Sequence, residues 1–419
     1  MPISTTQKGS AQKRIARRRI AILAGAYVPQ RDGVSVYIEN MLAQLVSEAE
    51  TYPGGLEIDV FGTETGLPIL QAQTPLPDTD GWVELNFHSV KGNGAWAKYA
   101  ALPWKAFRRG RYDLTLLPNL QPLLVRGRRL SILHDLTYQV ARSHFGRLRY
   151  WYMHGLTRWR LRSDDAMGVI SQTTGMHLSE YYPASKNTPQ PLLPNGLPLS
   201  KLGPRLDAKT REAAITAPEL ELLFCGRLNR LKGIDRLIRV ARAMDQACGD
   251  GTLPPTTLHI VGKSTDETDE LFAGQRFQHL KLRRYGFLSD EELNELYARA
   301  GFAFFLSRNE GFGLPLIEAL WMGAVPLLSD IRIFTEVMGA GYPRFAEGDV
   351  AINPLIDFIL RVRSDSEYRG RILKQVDDAL DAHKDGYQRC ARGVLEFLAD
   401  TSKTETLAPR TKAAQQASS

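Results

Sequence analysis

"GFAFFLSRNEGFGLPLIEALWMGAVPLLSD", residues 301–330, contains the signals for a strand, a helix and a second strand in succession. The apolar runs at 301–307 and 324–330 are short and bounded by glycine and polar residues, which is typical of buried strands. Between them, Pro315 suits the first helical positions and Gly323 suits a helix end. A strand, a covering helix and the next strand form the repeating unit of a parallel sheet, so the stretch predicts an α/β fold.

The same alternation of apolar runs and helical patterns continues outward along most of the chain. The runs form two series, the first at 19–25, 56–62, 112–119, 129–135 and 166–171, and the second at 220–226, 257–262, 282–287, 301–307 and 324–330. Residues 181–206 between them are rich in proline and glycine, as an interdomain connection would be. The 419 residues also exceed the roughly 250 to 300 at which one core stops growing. We therefore predict two doubly wound, Rossmann-like domains facing across a cleft.

We predict that the chain divides into five parts. The predicted parts are a disordered basic N-terminus at 1–17, a first domain at 18–195, a second domain at 196–384, a helix at 385–400 that returns to the first domain, and a disordered tail at 401–419.

The overall composition excludes several classes of protein. With 43% hydrophobic and 24% charged residues, the chain is typical of a soluble globular protein. It has no 18-residue apolar run and no apolar signal-peptide region near its start, so we expect a cytoplasmic protein. Cys225, Cys248 and Cys390 lie far apart and fit neither a disulfide framework nor a metal site. No metal and no cofactor are expected.

The positive charge is concentrated in the first half of the chain. Residues 1–200 contain 23 Lys and Arg against 15 Asp and Glu, and 13 of the basic residues lie within 101–162. This indicates an anionic partner such as membrane headgroups or a phosphorylated acceptor. No nucleic-acid recognition motif is present, so nucleic acid is not expected. Arginines alternate with aromatic residues in 145–165, which predicts either a helix that docks on an anionic membrane or a partly buried helix with its aromatics in the core.

The turn inside the opening stretch has the features of an anion site. Its glycines allow close approach of the backbone, and the helix that follows contributes partial positive charge at its N-terminus. In open α/β sheets the ligand crevice lies beyond the carboxyl ends of the strands, where this turn must lie. Glu310 before the turn and Glu318 after it would then reach opposite ends of a ligand. A diphosphate flanked by a ribose, on the Glu318 side, and a hexose, on the Glu310 side, fits this arrangement.

The residues from Glu310 to Glu318 form an E-x7-E element in the context E-G-F-G-L-P, and the chain here resembles the retaining glycosyltransferases of family 4, which have the GT-B fold. Supporting matches are "ILHDL" (132–136), "VISQTT" (169–174), "LPNGL" (193–197), "CGRLNRLKG" (225–233), "HIVG" (259–262) and "YGFLSDEELNELYARAGFAFFLS" (285–307). The resemblance covers about residues 18–350 and is denser in the second half.

For the second domain the resemblance implies a complete donor site. Arg227 and Lys232 would neutralise the donor diphosphate without a metal, the alternative being surface cations. Glu318 would bind the ribose hydroxyls and Glu310 the hexose hydroxyls, the alternative being charges that favour the helix dipole. The remaining donor-binding candidates are Gly311, Phe312, Gly313 and Leu314 at the phosphate or sugar, and Phe287 and Gly262 at the base. Phe287 could equally be a core aromatic, and Lys263 departs from the family pattern beside Gly262.

For the first domain the resemblance implies two contacts with the transferred sugar. Gly33 opens a helix where relatives have a pair of glycines, but Asp32 replaces the first of them here. His134 ends the run 129–135 and would meet the far side of the sugar, although a lone histidine is more often a structural residue. Asp135 would orient His134 or cap the next helix.

The resemblance thus predicts a retaining hexosyltransferase. Mannose or glucose would pass from GDP or UDP to a glycan or a polyprenyl-diphosphate-linked acceptor in polysaccharide or glycoconjugate biosynthesis. The alternatives are a GT-B epimerase or phosphorylase acting on sugar nucleotides, and a non-catalytic nucleotide-binding module. The absence of G-x-G-x-x-G after 19–25 argues against a dinucleotide-dependent oxidoreductase. The D-x-D in "PDTDG", 77–81, would hold a metal in another glycosyltransferase fold, but its prolines and glycine favour a turn.

Overall fold

A computed structural model describes residues 17–28, 32–75, 82–121, 127–346 and 352–400. The predictions for the N-terminus before residue 17, for the turn at 77–81 and for the tail at 401–419 lie outside the described residues.

The strands form two six-stranded sheets in which every pair is parallel. The strands are β1 (Arg18–Leu23), β2 (Leu56–Thr63), β3 (Val83–Val90), β4 (Leu114–Leu117), β5 (Arg128–Leu133), β6 (Ala166–Val169), β7 (Leu220–Cys225), β8 (Thr256–Val261), β9 (Leu280–Tyr285), β10 (Phe302–Phe305), β11 (Val325–Ser329) and β12 (Arg344–Phe345). The first sheet has the order β3-β2-β1-β4-β5-β6, and the second has the equivalent order β9-β8-β7-β10-β11-β12. In each sheet the strands are added first on one side of the first strand and then on the other. This switch point lies between β1 and β4 in the first sheet and between β7 and β10 in the second.

Fifteen α-helices within the described residues cover these sheets. They are α1 (Gly33–Ala49), α2 (Leu67–Gln73), α3 (Leu102–Arg108), α4 (Thr137–Val140), α5 (Arg147–Ser163), α6 (Gln172–Tyr181), α7 (Ala208–Thr216), α8 (Ile234–Gly249), α9 (Asp266–Phe272), α10 (Asp290–Arg299), α11 (Leu314–Trp321), α12 (Arg332–Met338), α13 (Ile352–Ser364), α14 (Ser366–His383) and α15 (Gly386–Ala399). The α/β class and the doubly wound sheets predicted from the sequence are confirmed.

The apolar runs became strands because they are buried on both faces. All four residues of β10 are buried, and β10 pairs with β7 on one side and with β11 on the other. In the first sheet, β1 is central in the same way, and Ile22 lies opposite Val60 of β2 and Leu116 of β4. Continuous apolar runs are typical of such sheets because helices cover both faces.

Two edge strands were not predicted from the sequence. β3 carries the mixed sequence VELNFHSV, most of which is only partly buried, so it has no continuous apolar run. β12 has only two residues. An edge strand has a neighbour on one side only and needs less apolar sequence than a central one.

The last helix of the described chain lies against the first. α15 packs on α1, where the Tyr37 hydroxyl is 3.0 Å from the Cys390 thiol. At the surface, Arg392 donates to Glu48 at 2.9 Å. The segment after the second sheet therefore returns to the first sheet and ties the two halves of the molecule together.

Candidate functional site

The loop after β10 and the start of α11 form one wall of the cleft. Gly313 precedes α11 with a φ of 90°, a left-handed conformation that favours glycine, and no side chain caps the helix. Pro315 lies in the first turn, as predicted, because its missing N–H is not needed there. Glu318 falls in the second turn of the helix. Pro315 has no N–H, and the Leu316 N–H donates to the Gly313 carbonyl at 2.9 Å. The N–H groups of Gly313 and Leu314 have no acceptor among the described residues, which makes this end of the helix suitable for an anion.

Lys232 and Glu310 form an ion pair beside this helix start. The Lys232 ammonium lies 2.5 Å from Oε1 of Glu310, and the Ser307 hydroxyl donates to the same oxygen at 2.7 Å. Among the described residues, Oε2 of Glu310 has no hydrogen-bond donor, so it is available to a ligand hydroxyl. The predicted phosphate-binding cation and the predicted hexose-binding carboxylate therefore lie together, and Lys232 is held in position before any ligand arrives.

Arg227 and Asp32 face each other across the cleft. Their nearest side-chain atoms, Nη2 and Oδ2, are 3.9 Å apart, and about three quarters of the Arg227 side chain is exposed. Asp32 also caps α1, since its Oδ1 accepts hydrogen bonds from the backbone N–H and the hydroxyl of Ser35, both at 3.0 Å. Next to it, a Cβ added to Gly33 would lie 4.0 Å from a methyl group of Leu314. The starts of α1 and α11 are thus adjacent.

Glu318 lies on the side of α11 that is partly closed from solvent. Burial raises the pKa of Glu318, and Lys201 opposes that rise. Burial also raises the pKa of the neighbouring Cys225 thiol to about 12, with a contribution from the charge of Glu318. Cys225 therefore stays protonated and does not act as a nucleophile at neutral pH. The Tyr297 hydroxyl bonds to the Pro315 carbonyl at 3.4 Å and supports the first turn of the helix.

The same loop touches the first domain directly. A Cβ on Gly311 would lie 2.1 Å from the His134 carbonyl oxygen, so only glycine fits between the two loops. The Ser171 hydroxyl donates to the Gly311 carbonyl at 2.7 Å, and the Asn309 amide donates to the Thr137 hydroxyl at 2.8 Å. The two halves therefore meet through hydrogen bonds at the cleft.

His134 contributes its backbone to this contact, while its ring serves the first domain. The Nε2 atom is 2.7 Å from the Pro118 carbonyl, and because a carbonyl only accepts, Nε2 carries the proton. Loss of water around the ring lowers the pKa of His134, so the ring is neutral at pH 7. The ring of Tyr37 lies edge-on at 4.9 Å between centroids. Asp135 accepts from the backbone N–H of Thr137, the first residue of α4, at 2.8 Å, although the residue at the N-cap position is Leu136.

The remaining predicted residues lie at the same edge of the second sheet with different exposure. Phe287 follows β9 and is 92% exposed, so it is not a core aromatic. The side chain of Phe312 is buried, against the ring of His383 at 5.7 Å. Gly262, after β8, packs on the Gly226 carbonyl after β7. Phe287 thus offers a free aromatic face near the loops, whereas Phe312 offers only its backbone.

Sequence reasoning missed a second contact between the domains. Glu336 of α12 accepts hydrogen bonds at the start of α6, from the backbone N–H groups of Gln172 and Thr173 at 2.8 and 2.7 Å and from the Thr173 hydroxyl at 2.6 Å. Arg332, also of α12, donates to Glu180 at 2.5 Å. The run "VISQTT" indicated only the family resemblance and not this contact. No residue near Glu336 in the sequence predicts that it accepts hydrogen bonds from the start of α6, about 160 residues earlier.

Two further observations concern metals and membranes. Within the described ranges, no group of three or more His, Cys, Asp or Glu side chains is arranged to hold a metal ion. None of the described helices combines the length and apolar character needed to cross a bilayer.

The site residues of the second domain fall inside a segment that matches a known family. Residues 207–376 match the model of glycosyl transferases group 1. Among curated proteins, a GDP-mannose:cellobiosyl-diphosphopolyprenol alpha-mannosyltransferase of Komagataeibacter xylinus is 33% identical over 178 residues. That alignment covers 41% of this chain and 42% of the relative, so less than half of the relative's length is spanned.

Solved structures resemble the chain over nearly its whole length. Anabaena HepE in complex with UDP and glucose has a TM-score of 0.65 at 15% identity, covering 91% of this chain and 99% of HepE. WaaG, a glycosyltransferase involved in lipopolysaccharide biosynthesis, has a TM-score of 0.59 at 16% identity, covering 91% and 99%. At such identities the likeness concerns the fold. Residues 207–376 therefore resemble the glycosyl transferases group 1 family, within a chain that has the two-domain GT-B fold.

Proposed function

We propose that this protein is a retaining glycosyltransferase that needs no metal and moves a hexose from a nucleoside-diphosphate sugar to a glycan or lipid-linked acceptor. The observation that carries the proposal is the uncapped start of α11 beside Lys232 and Arg227. The two cations come from the segment after β7, and the backbone N–H groups come from the loop after β10. These two adjacent strands lie on either side of the switch point of the second sheet. An anion with the charge of a diphosphate satisfies all three.

The leaving group is the part of the reaction that these residues assist. In the proposed step the bond between the anomeric carbon and the diphosphate oxygen breaks, and the acceptor oxygen bonds to the same face of the sugar. The acceptor proton passes to the departing phosphate oxygen. Arg227, Lys232 and the helix start stabilise the negative charge that develops on the diphosphate, which is where catalysis by fixed charges is most effective. Turnover that persists in a chelator such as EDTA supports the metal-free assignment, and its loss with rescue by Mg²⁺ refutes it.

The carboxylates and Phe287 bind the two ends of the donor in this proposal. Oε2 of Glu310 accepts a hydrogen bond from a hexose hydroxyl, and Glu318 accepts from the ribose diol. Phe287 is exposed and stacks on the base, since aromatic stacking on a nucleobase contributes about 1–3 kcal/mol. Gly33 and the loop of His134 close over the sugar from the first domain.

Mannose or glucose, carried by GDP or UDP, are the donors we favour. One relative is named for GDP-mannose and a diphosphopolyprenol acceptor, and HepE was solved with UDP and glucose. A thermal-shift panel of GDP, UDP, ADP, dTDP and their sugars tests the base. A ligand at 100 times its Kd adds about 2.7 kcal/mol to the free energy of unfolding, so the correct base should raise Tm by several degrees. If no nucleotide raises Tm, the donor site is assigned incorrectly.

A turnover assay separates the proposed reaction from other reactions on this fold. A glycosyltransferase releases nucleoside diphosphate in proportion to the acceptor supplied. An epimerase converts the donor without an acceptor, and a non-catalytic module binds the donor and leaves it unchanged. Release that is independent of any acceptor would contradict the proposed transfer.

The first domain carries a surface suited to an anionic membrane, which would bring the cleft to a lipid-linked acceptor at the cytoplasmic face. On α5, Tyr150 is buried but Leu148, Trp151 and Tyr152 are exposed, so only part of the helix is core. We call its exposed residues the α5 surface: Arg147, Leu148, Arg149, Trp151, Tyr152, Arg158 and Arg162. Basic and aromatic residues on one helix are typical of interfacial binding. Co-sedimentation with anionic vesicles that weakens with salt is expected, and binding to neutral vesicles only, or to none, refutes docking.

A further inference from the structure

An open hollow lies on the first domain between the segment that follows α4 and the start of α5. Its volume is about 400 Å³, and it is lined by Arg142, Ser143, Phe145, Arg147, Tyr150 and Trp151. Volumes of roughly 300 to 1,000 Å³ are typical of sites for small molecules. α4 itself begins at Thr137, which bonds Asn309 across the cleft, so the hollow lies on the chain segment that leaves the cleft on the acceptor side.

Within the part of the chain that the structure describes, the positive charge of the hollow has no ion-pair partner. Arg142 and Arg147 are exposed, and no carboxylate of the described residues lies within ion-pair distance of either. By contrast, Arg160 on the same helix is fully buried, and its guanidinium donates to the carboxylate of Asp164 at 2.9 Å. Arginine binds phosphate through two parallel N–H groups, and an arginine without an internal partner keeps both for a ligand.

Aromatic rings shape the walls of the hollow. The guanidinium carbon of Arg142 lies 4.3 Å from the ring centroid of Tyr150, which orients this arginine. Tyr150 is itself buried, and its hydroxyl donates to Gln139 at 3.2 Å. Trp151 stands edge-on to Tyr150 at 5.3 Å between centroids and leaves more than half of its surface exposed. The hollow thus combines a fixed cation, a second free cation and an open indole face.

We propose that this hollow binds a sugar phosphate, namely the phosphate of the lipid-linked acceptor together with its first sugar. The two arginines bind the phosphate, and the indole of Trp151 packs on the apolar face of the sugar ring. The donor is an unsuitable occupant, because the residues for its diphosphate are on the second domain. This assignment rests on the proposed transferase function, since it names the acceptor that the first domain holds.

The test uses a soluble sugar phosphate and two matched pairs of variants in the full-length protein. Glucose 1-phosphate is titrated by calorimetry into wild type, R147Q, R162Q, W151A and Y152A. Arg147 and Arg162 are both exposed arginines of α5, and Trp151 and Tyr152 are both exposed aromatics of it, but only the first of each pair lines the hollow. We expect R147Q and W151A to weaken binding roughly tenfold, as loss of a charged hydrogen bond or a stacked ring does. R162Q and Y152A should bind like wild type.

Three further titrations identify what the hollow recognises. Inorganic phosphate and methyl glucoside should each bind at least tenfold more weakly than glucose 1-phosphate, because each supplies half of the ligand. Anionic vesicles should lose affinity in all four variants, since a membrane contacts the whole α5 surface. If the two members of each pair weaken glucose 1-phosphate binding equally, or if wild type does not bind it, the hollow is not a sugar-phosphate site. Equal binding of inorganic phosphate would refute the role of Trp151.

The same proteins keep this inference separate from the proposed reaction. Affinity for the nucleoside diphosphate that the thermal-shift panel selects should be unchanged in R147Q and W151A, because the donor site lies on the second domain. Unchanged Tm values confirm that the variants are folded. A wild type that binds glucose 1-phosphate but no nucleoside diphosphate would refute the transferase proposal and leave the hollow intact.

Discussion

The starts of α1 and α11 face each other across the cleft, and they are built in opposite ways. α1 begins after Asp32, whose carboxylate accepts the backbone N–H of Ser35. α11 begins after Gly313, which has no side chain and leaves the first N–H groups of the helix without a cap. Both helix ends carry the same partial positive charge, about half an elementary charge.

The difference decides which of the two can receive an anion. At α1 the carboxylate already occupies the position that a phosphate would take and would repel one. At α11 no carboxylate occupies that position, and Lys232 lies near the loop before the helix, held there by Glu310. Arg227 lies beside the start of α1, since its exposed guanidinium is 3.9 Å from Asp32. Asp32, which caps α1, is therefore the partner of Arg227 in the absence of ligand, and we assign Arg227 to the anion site at α11.

The largest effect is expected from removing Arg227, the cation that faces Asp32 and that we assign to the donor diphosphate. R227A should lower the turnover number about 10²- to 10³-fold, because a fixed charge on the leaving group is lost in the transition state. Steady-state kinetics with donor and acceptor measure this. R371A on α14 is the control, since Arg371 is exposed and bonds Glu367 of its own helix. If turnover by R227A stays within a few-fold of wild type, Arg227 is only a surface cation.

The next effect concerns the carboxylate on the uncapped helix. E318Q should weaken nucleoside-diphosphate binding about tenfold, as loss of a charged hydrogen bond does, in calorimetric titrations at pH 7. Its Tm should not fall. Burial raises the pKa of Glu318 in the folded state, so the ionised carboxylate lowers stability above that pKa, and the neutral amide avoids this cost. A Tm that falls together with affinity would indicate a structural role for Glu318 instead.

A smaller effect, tighter instead of weaker binding of nucleoside diphosphate, is expected from replacing Asp32 at the start of α1. Asparagine is as good a cap as aspartate, so D32N should leave α1 intact and remove the charge that competes for Arg227. Nucleoside diphosphate should then bind roughly two- to fivefold more tightly, which is the range of an exposed ion pair. The same substitution in the R227A background should have no effect on the Kd. If D32N tightens nucleoside-diphosphate binding equally in the wild-type and R227A backgrounds, Asp32 acts by repelling the anionic ligand and not through Arg227.

The smallest effect tests whether the His134 ring belongs to the scaffold of the cleft. Because burial lowers the pKa of His134 in the folded state, the unfolded chain binds a proton first as pH falls through about 6.5. The free energy of unfolding of the wild type therefore falls between pH 7.5 and 5.5 because of proton uptake by His134 in the unfolded chain. H134Q keeps a donor for the Pro118 carbonyl and cannot take up this proton, so its free energy of unfolding in urea denaturation should fall less over that interval. An identical loss in both proteins would contradict a neutral, buried ring.

Local signals were sufficient for the fold and for half of the site. The run at 301–307 and the residues Gly313 and Pro315 each have a conformational preference that acts within a few positions, and the structure follows all of them. The same signals placed Lys232 and Glu310 after the ends of adjacent strands. They could not predict that the two side chains form an ion pair, because no local preference specifies which rotamers meet.

The sequence alone thus determined two doubly wound sheets and a glycine-rich helix start suited to an anion, since apolar periodicity and backbone preference are properties of short segments. Only the tertiary structure decided that Asp32 faces Arg227, that Gly311 touches the His134 carbonyl and that Glu336 caps α6. These contacts join residues about 160 to 200 positions apart. Their free energy depends on distances that arise only when two independently patterned domains pack together.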